Sequence, residues 1–480
     1  MDQTVQPTPP APTPGIPPAL LKLVGVIMLG ALAVQLDATM TNVAVNTLLR
    51  EFDAPLSTIQ WVGTGYLLAL TTMIPLTGWA ADRFGTRALW TVSLAGFLVG
   101  SLLSGLAWSA GSLIAFRIVQ GVGGGMLVPL AQTILAQAAG PERLGRVMAA
   151  IGIPAMLGPV LGPVLGGLIV TDLNWRWIFF VNVPVCLVGM LLARRVMPDA
   201  RPAHGAPLDR LGLVLLPPGC AAVVYGLAEA GRHGRFDNLA VLVALSLGVA
   251  LLAGFTLHAL RTRGEPLIDL RLLTERTFTA CVAVVFLSGI ALFGAIILLP
   301  IYQQQVRGAS PLHAGLLLAP QGVGMALGLI IAGRLTDRLG PRPIVLAGLA
   351  VAAAGTATYT QVGTNTSQLL LAAALAVSGV GMGVTIVPVL ASPYRGLPKL
   401  AIPRATSAIR IFQQLGGAFG GAVLAVVVQR QLADHGPAAT AAAFGATFWW
   451  VLGFTLLAVL PALLLPASRP PTQVRAGEAA

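Results

Sequence analysis

The sequence predicts an all-α protein that crosses a membrane fourteen times, as two six-helix bundles with a further pair of spans inserted between them. Three observations carry this. Of the 480 residues, 56% are hydrophobic and only 10% charged, too few charges to cover a soluble protein of this length. The apolar residues gather into fourteen runs, each about the roughly 20 residues a bilayer demands, and basic residues sit in the short loops between them. A loop pattern also recurs, 255 residues apart, after the second run and after the tenth.

Residues 1–19 are proline-rich and read as a disordered cytoplasmic tail. They lack the basic region, short apolar core and small-residue cleavage site of a signal peptide, so the first run, 20–45, is expected to be retained. That run places Asp37 inside the stretch Leu36–Val45. An ionisable group at such depth costs about 2.5–3.5 kcal/mol on insertion scales, and it faces a protein interior or a water-filled cavity. Either it marks a functional site, or it only tethers neighbouring helices.

The second run, 57–81, ends in Gly78-Trp-Ala-Ala-Asp82-Arg83-Phe-Gly85-Thr-Arg87. Runs 89–108 and 111–138 follow, the latter carrying Arg117 well inside. The fifth, 146–170, repeats glycine every four residues at Gly158, Gly162 and Gly166, beside Gly167 and the prolines Pro159 and Pro163. Such glycines permit close helix contact, and the prolines remove backbone donors and bend the helix. Run 177–197 completes an N-terminal bundle over 20–200. The tenth run leads into Gly333-Arg-Leu-Thr-Asp337-Arg338-Leu-Gly340-Pro-Arg342, matching the first loop at both glycines, the Asp-Arg pair and the last arginine. If each half carries this loop after its second span, the second half starts at the ninth run. Runs 278–302, 312–333, 343–361, 367–391, 406–429 and 446–467 then form a C-terminal bundle over 277–468, followed by a cytoplasmic tail at 469–480. Runs 208–229 and 239–260 remain as an inserted pair within 205–262.

Orientation follows from the 29 lysines and arginines: 22 fall on one set of alternate loops, 6 on the other, and Arg117 lies within a span. The basic side is cytoplasmic and holds both termini. The net charge of +12 is therefore a property of loops rather than a nucleic-acid surface. Cys186, Cys220 and Cys281 lie in apolar runs, with no spacing of a disulfide framework or metal site.

Counting inward from the outer ends puts Arg117 roughly 8 Å and Asp37 roughly 15 Å deep at 1.5 Å per residue. The two can meet if their helices are neighbours. A cation favours the carboxylate while desolvation favours the neutral acid, so a group held between the two can be switched by substrate or access. The alternative for Arg117 is a purely structural clamp. Asp82, Arg83 and Arg87, with Asp337, Arg338 and Arg342, are expected to form charge clusters between helix ends that break during rocking; otherwise they are turn and orientation charges. Candidate cavity residues are Asn42, Trp61, Tyr66 and Gln120 in the first half and Tyr302, Gln303, Gln321 and Gln413 in the second, each alternatively a packing or bridging residue. Between 278 and 467 the only acids are Asp337 and Asp434, both expected in loops, so neutral or monocationic substrates fit better than dicationic ones.

In these patterns the chain resembles the major facilitator superfamily, and within it the fourteen-span drug:proton antiporters. The repeated loop is similar to the superfamily's motif A. Phe116-Arg117-Ile-Val-Gln120-Gly121-Val-Gly123 is similar to motif B, and Gly158-Pro-Val-Leu-Gly162-Pro163-Val-Leu-Gly166-Gly167 to the antiporter motif C. Leu36–Val45, Trp175-Arg-Trp-Ile-Phe-Phe-Val-Asn182-Val-Pro184 and Gln414-Leu-Gly416-Gly417 resemble other motifs of those exporters. The resemblance implies a proton-driven exporter of amphipathic compounds in a bacterial cytoplasmic membrane. Asp37 would carry the proton, Arg117 tune it, and motifs A and C gate the two sides. No cofactor is implied beyond the proton gradient. The expected partners are small molecules, protons and lipid, in a monomer; a periplasmic adaptor stays compatible with the sequence. The rival reading is an uptake symporter or facilitator of the same fold. An enzyme is not expected, since no HExxH, Gly-Xaa-Ser-Xaa-Gly, nucleotide loop or metal-spaced cluster occurs.

Overall fold

The computed structural model describes residues 17–140, 143–198, 207–262, 264–309, 316–363, 365–394, 397–398, 401–435 and 440–467. The expected tails fall almost wholly outside these. Every described regular element is a helix, as apolar backbone in a bilayer must satisfy its own hydrogen bonds. The first bundle comprises α1 (Pro18–Val43), α2 (Val45–Phe52), α3 (Leu56–Met73), α4 (Leu76–Phe84), α5 (Thr86–Gly105), α6 (Ala110–Ala139), α7 (Leu144–Asp172), α8 (Trp177–Phe180) and α9 (Asn182–Val196). The inserted pair is α10 (Arg210–His233) and α11 (Leu239–Arg261). The second bundle comprises α12 (Arg276–Gln305), α13 (Ala319–Leu339), α14 (Pro341–Tyr359), α15 (Gln368–Ala391), α16 (Ile402–His435), α17 (Thr440–Leu457) and α18 (Val459–Ala462).

Among the described residues, 11 helices are long and apolar enough to cross a membrane, or 12 if the bent pair α3 and α4 counts as one span. That pair bends by 56° where Pro75 interrupts the backbone ladder. The fifth and tenth expected runs coincide with α7 and α13. Helix ends follow local chemistry. Ser109 and Ser112 form a reciprocal capping box at the start of α6, and Asp209 and Asn238 cap α10 and α11. Gly85 and Gly340, at matching places in the two loop copies, turn the chain with φ of 81° and 83° into the next helix. A side chain rarely adopts that backbone, which explains a glycine at this place in each copy.

Close packing repeats between the bundles. α1 lies along α7, α3 and α5 along α6; correspondingly α12 lies along α16, and α13 and α14 along α15. Small residues allow these approaches: Gly121 and Gly125 face the α3 backbone at Tyr66 and Leu70, as Gly379 and Gly383 face the α13 backbone at Gln321 and Met325. The halves meet at their basic ends through two related contacts. Gly78 of α4 abuts the backbone of Pro403 and Arg404 on α16, and Gly333 of α13 abuts Arg146 and Ala149 on α7. α10 bridges the halves along one side. Its Tyr225 stacks on Trp61 of α3 at 5.8 Å, and Gly231 accepts a bond from Gln429 Nε2 of α16 at 3.3 Å.

Candidate functional site

Asp37 sits on α1 with no solvent exposure, and its carboxylate is fully occupied. Oδ2 is ion-paired directly with Arg117 Nη1 from α6. Oδ1 accepts from Gln120 Nε2, one turn further along α6, and from Asn182 Nδ2 at the start of α9, each at 2.9 Å. Asn182 Nδ2 also lies 3.0 Å from Ser101 Oγ on α5, and that hydroxyl donates to the Phe179 carbonyl at 2.8 Å. Three helices, α1, α6 and α9, thus meet at one carboxylate, and α5 joins the network through Asn182.

Arg117 is equally enclosed, 1% exposed. Its Nε donates to the Val62 carbonyl at 3.3 Å and Nη1 to Gln120 Oε1 at 2.7 Å. The guanidinium lies over the Tyr66 ring, 4.0 Å from its centroid, with Phe179 at 5.6 Å. An aromatic face so placed stabilises a cation withdrawn from water. The arrangement can hold a negative carboxylate stably at this depth. Replacing one of the accepting lone pairs by an O–H would bring a donor against a donor, so a neutral acid could not keep all of these bonds at once.

Motif C lies against the same stretch of α1. Gly158 faces Gln35, Gly162 faces Thr39 and Gly166 faces Met40, so one glycine stripe covers the turns flanking Asp37. Thr39 Oγ1 donates across the contact to the Gly158 carbonyl at 3.0 Å. Gly167 faces open space, and α7 runs without a break through Pro159 and Pro163, whose side chains lie outside the described set.

The charge clusters differ from expectation. Asp82 pairs with Arg404 of α16 in the opposite half, Oδ2 to Nε at 3.5 Å, rather than with Arg83 or Arg87. Adjacent residues on a helix point about 100° apart, so Arg83 turns outward and is exposed. Arg87 instead donates through Nη2 to the Arg194 carbonyl. Arg404 also binds Glu265, from the segment joining the inserted pair to the second bundle. The side chains of Asp337 and Arg338 lie outside the described set. Arg342 is tied through its backbone N–H to the Pro466 carbonyl at 3.3 Å.

The cavity candidates scatter. Tyr66 and Gln120 belong to the buried ion-pair network, not to an open cavity. Trp61 packs on the inserted pair, and Asn42 is exposed near the end of α1. Tyr302 donates to the Gly363 carbonyl at 2.9 Å and packs edge-on against Phe444, and Gln303 is buried one residue beyond it on α12. Gln321 lines a cavity of about 300 Å³ with Thr356, Ser378 and Phe448. Gln413 lines a larger pocket, about 370 Å³ when the open solvent space in its mouth is included, walled by α12, α13, α15 and α16. Two network members were not singled out from sequence as site residues. Asn182 stood only within a motif, and nothing marked Ser101, a small hydroxyl in an apolar run. Asp434 and Asp337, expected in loops, occupy the last turns of α16 and α13.

The sequence matches the description of the Major Facilitator Superfamily over residues 27–421. The chain belongs to the major facilitator superfamily. It is therefore a multi-pass membrane transporter of small molecules and not an enzyme. It is 41% identical over 414 residues to the Multidrug resistance protein B homolog of Mycobacterium tuberculosis (strain ATCC 25618 / H37Rv), covering 86% of this chain and 77% of that one. The Lincomycin resistance protein LmrB of Listeria innocua is 30% identical over 390 residues, covering 81% and 82%. Among solved structures, the human organic anion transporter MFSD10 (TETRAN) superposes with a TM-score of 0.63 at 19% identity, covering 93% of this chain and all of the other. The proton:xylose symporter XylE gives 0.61 at 17%, covering 92% and 96%. These two share the fold with this chain.

Proposed function

We propose that this transporter is a fourteen-span, proton-coupled exporter of amphipathic organic compounds, including drugs and antibiotics, working by alternating access in a bacterial cytoplasmic membrane with both termini cytoplasmic. Two relatives named for multidrug and lincomycin resistance support the substrate class. The observation that carries the coupling is the enclosed Asp37 carboxylate, ion-paired to Arg117 and bonded to Gln120 and Asn182. Protonation would release these donors and free α1 from α6 and α9, and that change can be transmitted to α7 through the glycine stripe. At the other end Arg404 with Asp82 forms a latch between halves that must open when access changes. The protein acts as a monomer and needs no cofactor beyond the proton gradient.

One proton crossing about 100 mV supplies about 2.3 kcal/mol, roughly a fifty-fold substrate gradient at equilibrium. Substrate and proton affinities change each other reciprocally. The same fold serves a proton:xylose symporter, so direction must be measured rather than assumed. The test is uptake of a lipophilic dye into inverted vesicles under an imposed pH gradient. The parental chain accumulates dye, and Asp37→Asn, a permanent mimic of the neutral acid, binds dye but does not accumulate it. Uphill transport by Asp37→Asn would move the proton site elsewhere. Accumulation only in right-side-out vesicles would make the protein an importer.

A further inference from the structure

The second half holds a half-buried cation that the ion-pair network does not use. Arg410 lies on α16, eight residues beyond its start at Ile402, so it is about 12 Å into the helix at 1.5 Å per residue. From sequence alone it counts with the basic side, at the inner end of the expected run 406–429; the helix begins four residues earlier, at Ile402, which sets Arg410 deeper, past the Arg404 latch. Its Nε is buried without a hydrogen-bond partner, and Nη1 donates to Gln413 Oε1 at 2.6 Å. No acid occurs between residues 278 and 467 apart from Asp337 and Asp434, whose side chains lie outside the described set. Among the described residues Arg410 has no carboxylate partner.

Gln413 is also the polar wall of the larger cavity. The remaining lining is mostly aliphatic, with Met325 and Met382 able to adapt to different shapes, and Ser288 beside them has a buried hydroxyl without a partner. A guanidinium in a membrane helix demands a counter-group, because an isolated charge away from water is costly. Here the fixed residues supply an amide oxygen and leave donors over.

We propose that this cavity is a substrate subsite for lipophilic compounds bearing one anionic group, such as a carboxylate. The aryl or alkyl body fills the methionine-lined space, and the acid displaces Gln413 Oε1 to accept from Arg410, with the Gln413 amide and Ser288 hydroxyl as further donors. This rests on the export reading for its physiological direction, but the site itself stands on binding alone. It also broadens the neutral and monocationic range expected from the lack of membrane acids in this half.

The experiment uses the purified full chain and two fluorescent probes, 1-pyrenebutyrate and its neutral methyl ester. The acid is expected to bind about tenfold or more tightly than the ester, the scale of one charge-assisted hydrogen bond. Arg410→Gln should remove that preference while leaving ester affinity unchanged, Arg410→Lys should keep most of it, and Ser288→Ala should reduce it in part. Equal binding of acid and ester by the parental protein overturns the proposal without need of any variant. A preference that survives in folded Arg410→Gln also overturns it. Dye accumulation in inverted vesicles, measured on the same preparations, separates the two readings. Dye export without acid preference leaves the exporter and removes the subsite, and acid preference without export does the reverse.

Discussion

The two bundles pack alike and are charged unlike. In the first, Asp37 and Arg117 satisfy each other within a closed network of four helices, and aromatic rings seal the guanidinium. In the second, the equivalent helix pairings recur, yet Arg410, half-buried on α16, donates to the amide of Gln413, which itself lines a cavity. Repeated packing therefore fixes where the helices go, and a few polar side chains decide what each half does. One half encloses a paired carboxylate and guanidinium; the other holds a cavity beside an arginine whose Nε has no hydrogen-bond partner.

The sharpest way to break this comparison is to delete each arginine. Arg117→Gln leaves Asp37 as a buried charge without its cation, which typically costs on the order of 3–5 kcal/mol. A large fall in apparent melting temperature in detergent is expected. Arg410→Gln removes a charge that has no carboxylate partner, so stability should hold or rise. Equal losses at the two positions would mean that Arg410 has a fixed partner and that the halves are not electrostatically different.

The glycine stripes sharpen it next. Any side chain at Gly162 runs into Thr39 of α1, two residues from Asp37. Gly162→Leu should cost about 1–3 kcal/mol by overpacking, and should strongly reduce dye accumulation in inverted vesicles. The related contact in the other half, Gly420 against Ile290, is as tight but flanks no ion pair. Gly420→Leu should destabilise similarly while leaving the pH dependence of transport at its parental value. An identical pH shift in both variants would detach motif C from the proton step.

The latch between halves comes third. Asp82 is mostly enclosed and pairs across the halves, whereas Glu265 is 59% exposed, though both bind Arg404. Exposed pairs contribute little, about 0–1 kcal/mol. Asp82→Asn should therefore lower the rate of transport several-fold, and Glu265→Gln should stay near the parental rate. A larger effect from Glu265→Gln would make the inserted pair's connection, not motif A, the controlling contact.

These contrasts divide what was legible in sequence from what was not. Hydropathy, alternating loop charge and the repeated Gly85 and Gly340 loops locate the helices, because each depends on local chemistry that the bilayer or a positive φ enforces. The meeting of Asp37 with Arg117 follows from depth, since two costly charges at similar level leave few alternatives. Partners set by the angular placement of helices were not accessible. Asp82 joins Arg404, over 300 positions away in the chain, and no spacing rule reports that. Ser101 is an ordinary hydroxyl until α9 brings Asn182 beside it. Arg410 counts with the basic side at the inner end of the expected run 406–429, and its depth shows only once the start of α16 is fixed at Ile402.

The smallest effect concerns the inserted pair, which neither half duplicates. Asp209 caps α10, accepting from Gly212 N–H at 2.8 Å, lies 2.8 Å from His258 Nε2 of α11, and accepts from Leu267 N–H at 3.1 Å. Burial alone would raise the Asp209 carboxyl, but the bonds from Gly212, His258 and Leu267 outweigh it and hold the group below its ordinary range. A carboxyl lowered in the folded state contributes stability that is complete above the ordinary carboxylate value of about 4. That contribution is lost as pH falls from there through the lowered one. Asp209→Asn should accordingly lower the apparent melting temperature modestly at pH 7, with the gap to the parental protein closing progressively below about pH 4. These bonds tie α10 to α11 and to the segment that follows them, so the change should appear as local loosening of α10 and α11 by hydrogen exchange. Loosening that spreads equally to α3 and α16, the helices α10 bridges, would instead make the inserted pair a structural part of both halves.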